Sequence, residues 1–471
     1  MSSQTSSPTT QQQQTTAYGY GETWLDTLGS SGDSTIAAPA PLRWAGEPLA
    51  AAAGVGAGWG HTAVVHGDGG AVTLIGRPHD FRNTLKHINT RNLLPFMQHA
   101  MRTVSGVVFA KDVAPVMLAA PDGDPWAEVR CGMGALTALR TRTGALYTVG
   151  QNYFGQCGIG TSATEVVWQP ARVVGFDDGD EEVTGLAVGF EHVVASTRRG
   201  ALYAWGRGDR GQLGHGDADS FMSAARVVGA GSGLLDVSFT RVAAAVSSSA
   251  GVAADGSAWV WGKMAGDAPR DAARGSGAAA GSGSLLMADA LLPRRVAFPD
   301  PDTRAVDVTL GQAHTSFLAA DGSLWMTGLR GRGVLKDDTS AAACVAALRT
   351  AASTGMGADG TPLPAQRAAL AGVLADAMAE AAASAPPTAP LPELLTQVTP
   401  LPIAPGPLAG RTIVALRSSL HHSYAITDDG LVFRWGWAGV VAPVLELLPY
   451  HVVDLAPGYC HTVMLGARLP A

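Results

Sequence analysis

The chain has 471 residues, a net charge of −7, and 46% hydrophobic against 15% charged residues. That apolar content suffices for a sizeable core, while 28 Arg and 4 Lys set against 39 acids argue against a nucleic-acid coat or a polybasic membrane protein. Glycine is in excess, at 59 residues without a collagen period, which points to many tight turns and an all-β repeat fold.

Residues 1–16 read as a disordered, Gln-rich tail. The first 42 residues contain no Lys or Arg, so neither a secretory signal nor a mitochondrial presequence is expected. No apolar run is long enough for a transmembrane helix, so no membrane insertion is expected. These features predict a soluble, intracellular protein and favour cytoplasm or cilium over mitochondrion.

From Gly58 onward one pattern recurs: Gly, two residues, His, then a second Gly, a short apolar run and a third Gly. Gly58-Trp-Gly-His61 leads to Gly70 and Gly76. Gly132-Met-Gly-Ala135 leads to Gly144 and Gly150. Gly189-Phe-Glu-His192 leads to Gly200 and Gly206. The degenerate stretch 245–248 leads to Gly256 and Gly262. Gly311-Gln-Ala-His314 leads to Gly322 and Gly328. Ser419-Leu-His-His422 leads to Gly430 and Gly436. Gly458-Tyr-Cys-His461 lacks its second half. Runs such as Ala201-Leu-Tyr-Ala-Trp205 read as half-buried strands, and Asp255-Gly256, Asp321-Gly322 and Asp429-Gly430 as hairpin turns. Each copy makes one small antiparallel sheet that must stack on its neighbours, which predicts a β-propeller. Residues 17–30 are expected to supply the missing outer strands of the last copy and so remove an open sheet edge. The propeller is expected over 17–466 as a single domain.

Two insertions break the rhythm, at about 77–112 and about 338–409. Between 77 and 111 stand six Lys or Arg and one acid, Asp80. Arg82, Lys86, His87, Arg91, Phe96 and Met97 are the candidate partner-binding residues, a basic and apolar docking element. The second insertion is rich in Ala, Pro and Thr. It reads as a surface loop with a marginal helix carrying Leu370, Val373, Leu374 and Met378 on one stripe.

Gly211-Gln-Leu-Gly214, Trp205-Gly-Arg-Gly and the recurrent Gly-x-x-His resemble the regulator of chromosome condensation repeat family. The resemblance covers roughly 17–30 and 54–466 outside the insertions. It implies a seven-bladed β-propeller closed by an N-terminal strand segment. The functions it implies are those of Ran exchange factors, an ultraviolet-B receptor, mitochondrial ribosome-assembly factors and adaptors. Gly150-Gln-Asn-Tyr-Phe-Gly-Gln-Cys-Gly158 and the closing Gly458-Tyr-Cys-His-Thr are similar to the mitochondrial branch.

His61, His192, His314, His422 and His461 recur at one repeat position, which assigns them to architecture, each expected to satisfy a buried carbonyl between blades. Trp205, Trp261 and Trp435 precede the repeat's glycine, and blade packing accounts for them and for Trp59. No GxSxG and no phosphate loop occurs, and the GxGxxG spacing at Gly206-Arg-Gly-Asp-Arg-Gly211 follows an antiparallel strand. Cys131, Cys157, Cys344 and Cys460 form no CxxC pair, so no metal site and no cofactor is expected. The expectation is a non-catalytic protein-interaction scaffold, not an enzyme, belonging to a larger complex. The alternatives are a guanine-nucleotide exchange factor for a small GTPase, with Asp209, Asp217, Asp219 and Asp236 near one face, or an organellar ribonucleoprotein assembly factor. No basic tail for DNA is expected.

Overall fold

The structure, a computed structural model, describes residues 15–22, 28, 35–44, 47–49, 51–77, 115–176, 182–227, 234, 236–263, 290–312, 314–330, 341–384, 395–436, 441–459 and 461–470. Seven four-stranded antiparallel sheets stand in a ring. Six are made in chain order from the axis outward. Blade three is representative: Val183–Val188 is innermost, followed by His192–Thr197, Leu202–Gly206 and Phe221–Arg226. The innermost strand of each blade touches that of the next, and the seventh touches the first, so the ring is closed.

The local chemistry follows the repeat. The tight turn at Asp255-Gly256 places Gly256 at φ 80°, where a side chain would be strained, and Asp255 Oδ1 accepts the Ser257 N–H at 2.9 Å. Second and third strands are buried on both faces because each sheet is sandwiched by its neighbours. His192–Thr197 and Leu202–Gly206 are buried at every position. Each innermost strand carries a bulge against its partner, which tightens twist near the axis.

Blade seven is made from both ends of the chain. Tyr450–Pro457 and His461–Arg468 form its inner half, Thr16–Glu22 pairs with His461–Arg468, and Thr35–Pro41 is outermost. The expected segment 17–30 is therefore too short: it holds only the third strand, and the outer strand lies beyond it. The junction is stitched by the Tyr18 and Tyr450 rings, 5.1 Å apart, and by Tyr450 Oη donating to Pro39 O at 3.2 Å.

The second insertion departs from the expected loop. It forms two packed helices, α1 (Ala341–Thr354) and α2 (Ala365–Ser384). Blade six explains why they are held. Its outer strand, Ala442–Pro443, is only two residues long. Cys344, Leu348, Leu374 and Met378 pack in one core with Phe433, Trp435 and Val441 of blade six. Blade five thus lends a helical hairpin that covers its neighbour. The buried α2 stripe is Ala371, Leu374, Ala375 and Met378, and Val373 is 63% exposed. Buried Arg367 anchors α2 to the ring, donating to Asp429 O at 2.8 Å and to Tyr450 O at 3.4 Å. Burial lowers its pKa.

Removing residues 1–42 strips two strands from blade seven and bares the edge of His461–Arg468. The shortened chain is expected to melt at least about 10 °C lower or to form oligomers. Calorimetry and light scattering check this.

Candidate functional site

The Gly-x-x-His turns join first and second strands at one end of the ring, next to the axis. In each, the backbone closes on itself: Gly58 N–H donates to His61 O at 2.9 Å, Gly189 to His192 O at 2.8 Å, and Gly311 to His314 O at 2.8 Å. The imidazole lies where a Cβ would be. A Cβ on Gly189 would stand 2.2 Å from His192 Cε1 and 2.4 Å from Ala245 O of the next blade. Close approach on two sides therefore requires glycine.

The rings reach across the seams. His61 Nε2 lies 3.0 Å from Thr137 Oγ1, His192 Nε2 2.9 Å from Ser249 Oγ, His314 Nε2 3.0 Å from Ser423 Oγ, and His461 Nε2 2.9 Å from Thr62 Oγ1. Ser249 Oγ itself donates to Gln212 O at 2.8 Å. Its hydrogen is thereby used, so His192 Nε2–H donates. The side-chain partner across each of these four seams is a hydroxyl. His422 is only half-buried, 6.4 Å from the Tyr424 ring. Two blades lack the histidine: register puts Ser248 of blade four opposite Gly262, and blade two is the instructive case. Ladder register puts Leu136, not Ala135, opposite Gly150 in the place of the histidine. The facing position in blade three is Val193, so this seam loses donor and acceptor together and strands neither. Burial pushes the His192, His314 and His461 pKa values from 6.5 down to about 4.

The tryptophans before the repeat's glycine also cross seams. Trp205 Nε1 donates to Gln156 O at 3.1 Å and Trp261 Nε1 to Gln212 O at 2.9 Å. Trp59 is different, because it stands in a turn.

The second residues of the seven turns are Trp59, Met133, Phe190, Val246, Gln312, Leu420 and Tyr459. Six of the seven are apolar or aromatic, and all are partly or largely solvent-exposed. They converge at the axis: the Trp59 ring is 4.8 Å from Tyr459 of blade seven and 6.1 Å from Phe190 of blade three. Backbone bonds fix their spacing, with Phe190 N–H donating to Ala245 O at 3.1 Å and Tyr459 N–H to Gly58 O at 3.2 Å. The result is an apolar hub on one end of the ring. Sequence alignment of the turns already contained this column.

Charge sits beside and beneath the hub. Glu191, next to Phe190 and only 3% exposed, accepts from Arg207 Nη1 at 2.7 Å, and Arg207 Nη2 reaches Asp209 at 2.7 Å. Burial alone would raise the Asp209 carboxyl, but the Arg207 hydrogen bonds and charge hold it below 3.8. The guanidinium lies over the Phe154 ring at 4.8 Å. Deeper, on the innermost strands, Arg417 pairs with Asp454 at 2.7 Å and Arg130 with Glu128 at 2.8 Å. Asp307 Oδ2 accepts the Leu416 N–H of the next blade at 3.1 Å. Arg417 with Asp454 and Arg130 with Glu128 neutralise each other in pairs.

Arg82, Lys86, His87, Arg91, Phe96 and Met97 lie outside the described residues. The segment that contains them leaves blade one at the hub end, where Arg77 N–H donates to Gly60 O at 2.7 Å. Asp209, Asp217 and Asp219 share that end. Asp236 does not: it follows the outer strand of blade three, at the opposite end, which corrects the expected grouping. Burial pushes the Cys131 and Cys157 thiols up to about 12. Among the described residues no three His, Cys, Asp or Glu side chains are grouped to hold a metal ion, and no helix is long and apolar enough to cross a membrane.

A closed ring of seven like blades, latched at its turns, defines the chain as a seven-bladed β-propeller. It carries regulator of chromosome condensation repeats: the profile described as "Regulator of chromosome condensation (RCC1) repeat" matches residues 143–196 and 199–250, and a second of the same description matches 183–212. Among curated proteins, the Ultraviolet-B receptor UVR8 of Arabidopsis thaliana is 40% identical over 82 residues, 17% of this chain and 18% of the receptor. The human RCC1-like G exchanging factor-like protein is 28% identical over 177 residues, 37% of each chain. The chain thus spans well under half the length of these relatives. Among solved structures, human WBSCR16 superposes with a TM-score of 0.61 at 18% identity, covering 97% of this chain and 99% of its own. Prp20p of Saccharomyces cerevisiae gives 0.60 at 15% identity, covering 98% and 93%. At such identities the likeness is one of fold.

The neutral latches set a pH dependence. A folded-state pKa near 4 against 6.5 means the unfolded chain binds the proton more readily. Stability is full above pH 6.5 and falls as pH drops towards 4, by about 3 kcal/mol for each of the three histidines. Urea titrations from pH 7.5 to 4 check the slope. Separately, Cys131 and Cys157 are expected to resist a thiol reagent at pH 8 until the chain is denatured.

Proposed function

We propose that the chain is a non-catalytic protein-binding scaffold and that the apolar hub is its docking surface. The observation that carries this reading is the turn column: six of seven blades present an apolar or aromatic side chain at the same near-axial position. Buried packing explains the histidines and Trp205, Trp261 and Trp435. It does not explain Tyr459, which is 40% exposed. A rigid ring presents such side chains with little ordering cost on binding, and aromatic anchors dominate interface energetics. The segment 77–112 leaves the ring at the hub end, and its Arg82, Lys86, His87, Arg91, Phe96 and Met97 are proposed to add contacts to the same partner. Membership of a larger complex suits this reading.

A second reading has a specific support. Prp20p is described with binding properties to Gsp1p and histones, and one relative is named a G exchanging factor-like protein. Asp209, Asp217 and Asp219 lie at the hub end, where an exchange surface for a small GTPase could use them. Nucleotide-release assays with a panel of small GTPases separate this from a scaffold. The ribonucleoprotein reading predicts RNA crosslinks that weaken steeply with salt.

Two sets of substitutions test the scaffold reading. Trp59→Ala with Tyr459→Arg is expected to reduce co-purification of the native partner at least tenfold, with circular dichroism and melting close to the parent. Reversing Arg82, Lys86 and Arg91 to Glu is expected to lower capture further. Quantitative mass spectrometry of affinity-purified complexes reads both, and unchanged composition after the hub substitutions would refute the docking surface.

A further inference from the structure

We propose that the hub receives one extended segment of a partner protein, which carries an aromatic or long aliphatic anchor followed by Lys or Arg residues, and that the segment runs outward over blade three. This rests on the hub reading above and adds the chemistry of the occupant.

The surface is continuous from the axis to the rim. Phe190 lies against Trp59 at the hub. Glu191 follows it in the chain and binds Arg207 at 2.7 Å, and Arg207 binds Asp209 at 2.7 Å. Gly208 then presses on the next stretch of the loop: a Cβ there would stand 1.6 Å from Asp219 O, so Asp219 lies beside the Arg207–Asp209 pair. Asp217 adds a further carboxylate, held by its own turn, with Oδ1 accepting the Asp219 N–H at 3.1 Å.

Charge decides what fits. Two guanidinium groups, Arg207 and Arg210, stand against four carboxylates, Glu191, Asp209, Asp217 and Asp219, which leaves two negative charges over. Asp217 and Asp219 are exposed, and among the described residues neither makes a salt bridge with Lys or Arg. His215 is the titratable group beside Asp217, and burial lowers its pKa. The track is thus apolar at the axis and acidic at the rim. A segment with the reverse order of anchor and cation complements it, and an acidic segment is repelled. Four strands at ~4.8 Å spacing put the rim roughly 15 Å from the innermost strand, which about five extended residues span.

Fluorescence anisotropy with the full chain tests this. The probe is a labelled nine-residue peptide with one Phe followed by alternating Lys and Ser. Two controls replace Lys by Glu or Phe by Ala. The Phe–Lys peptide is expected to bind, and to bind at least tenfold more weakly at 300 mM than at 50 mM salt. Each control, and the protein variant Asp217→Lys with Asp219→Lys, is expected to weaken binding at least tenfold. Equal binding of the Glu peptide, or an unchanged Kd for the Asp217→Lys/Asp219→Lys variant, overturns the proposal. The hub reading has its own signature: if Trp59→Ala weakens the peptide tenfold and the aspartate variant does not, the hub stands and the acidic track falls. If neither substitution changes the Kd, both fall. The peptide controls need no change to the protein, so a folding defect in a variant cannot mask the answer.

Discussion

The burial of polar groups at the seams is the constraint on which the rest of the ring depends. Seven sheets packed face to face leave little water between them, so a donor brought to a seam is costly unless it meets an acceptor from the neighbour. The imidazole-to-hydroxyl contacts meet this condition in four seams. The Leu136 and Val193 seam meets it by having neither group. The glycine three residues before His61, His192, His314 and His461 is a consequence, because the ring must lie flat on the turn. Once the turn is flat, the residue after the glycine has nowhere to go but the axis. The hub is therefore a by-product of how the blades are latched, available for whatever binding the chain performs.

Much of this architecture is legible in the sequence because it is repeated. A position that recurs seven times can be read by comparison within the chain, and the spacing from Gly189 to His192 to Gly206 fixes three strands and a turn without outside help. What repeats imperfectly is harder. The true counterpart of the histidines in blade two is Leu136, displaced one residue by an extra turn residue, and only ladder register reveals it. The outer strand of blade seven, Thr35–Pro41, carries no repeat word because its alternation is of Ala and Pro.

The insertions show the other limit. Ala-rich α1 and α2 have weak amphipathic patterns, so composition suggests a loop. Their stability comes from what they cover. Nothing local to 341–384 says that blade six has an outer strand of only two residues, or that Arg367 will find carbonyls at Asp429 and Tyr450. The same holds for the candidate site. Phe190, Arg207 and Asp219 are apart in sequence and become neighbours only because one blade folds back on itself twice.

The seventh blade has a mechanical corollary. Its central pair is antiparallel, with Thr16 opposite Gly466, so the entering and leaving chain lie side by side at one end of the pair. Tension applied through the two ends would peel that pair one hydrogen bond at a time and would not load its rungs together. Six blades joined by continuous chain resist such a pull, and the one made from both ends does not. A tether on each terminus would accordingly open the ring at its own clasp, at forces far below those needed to unravel any other sector.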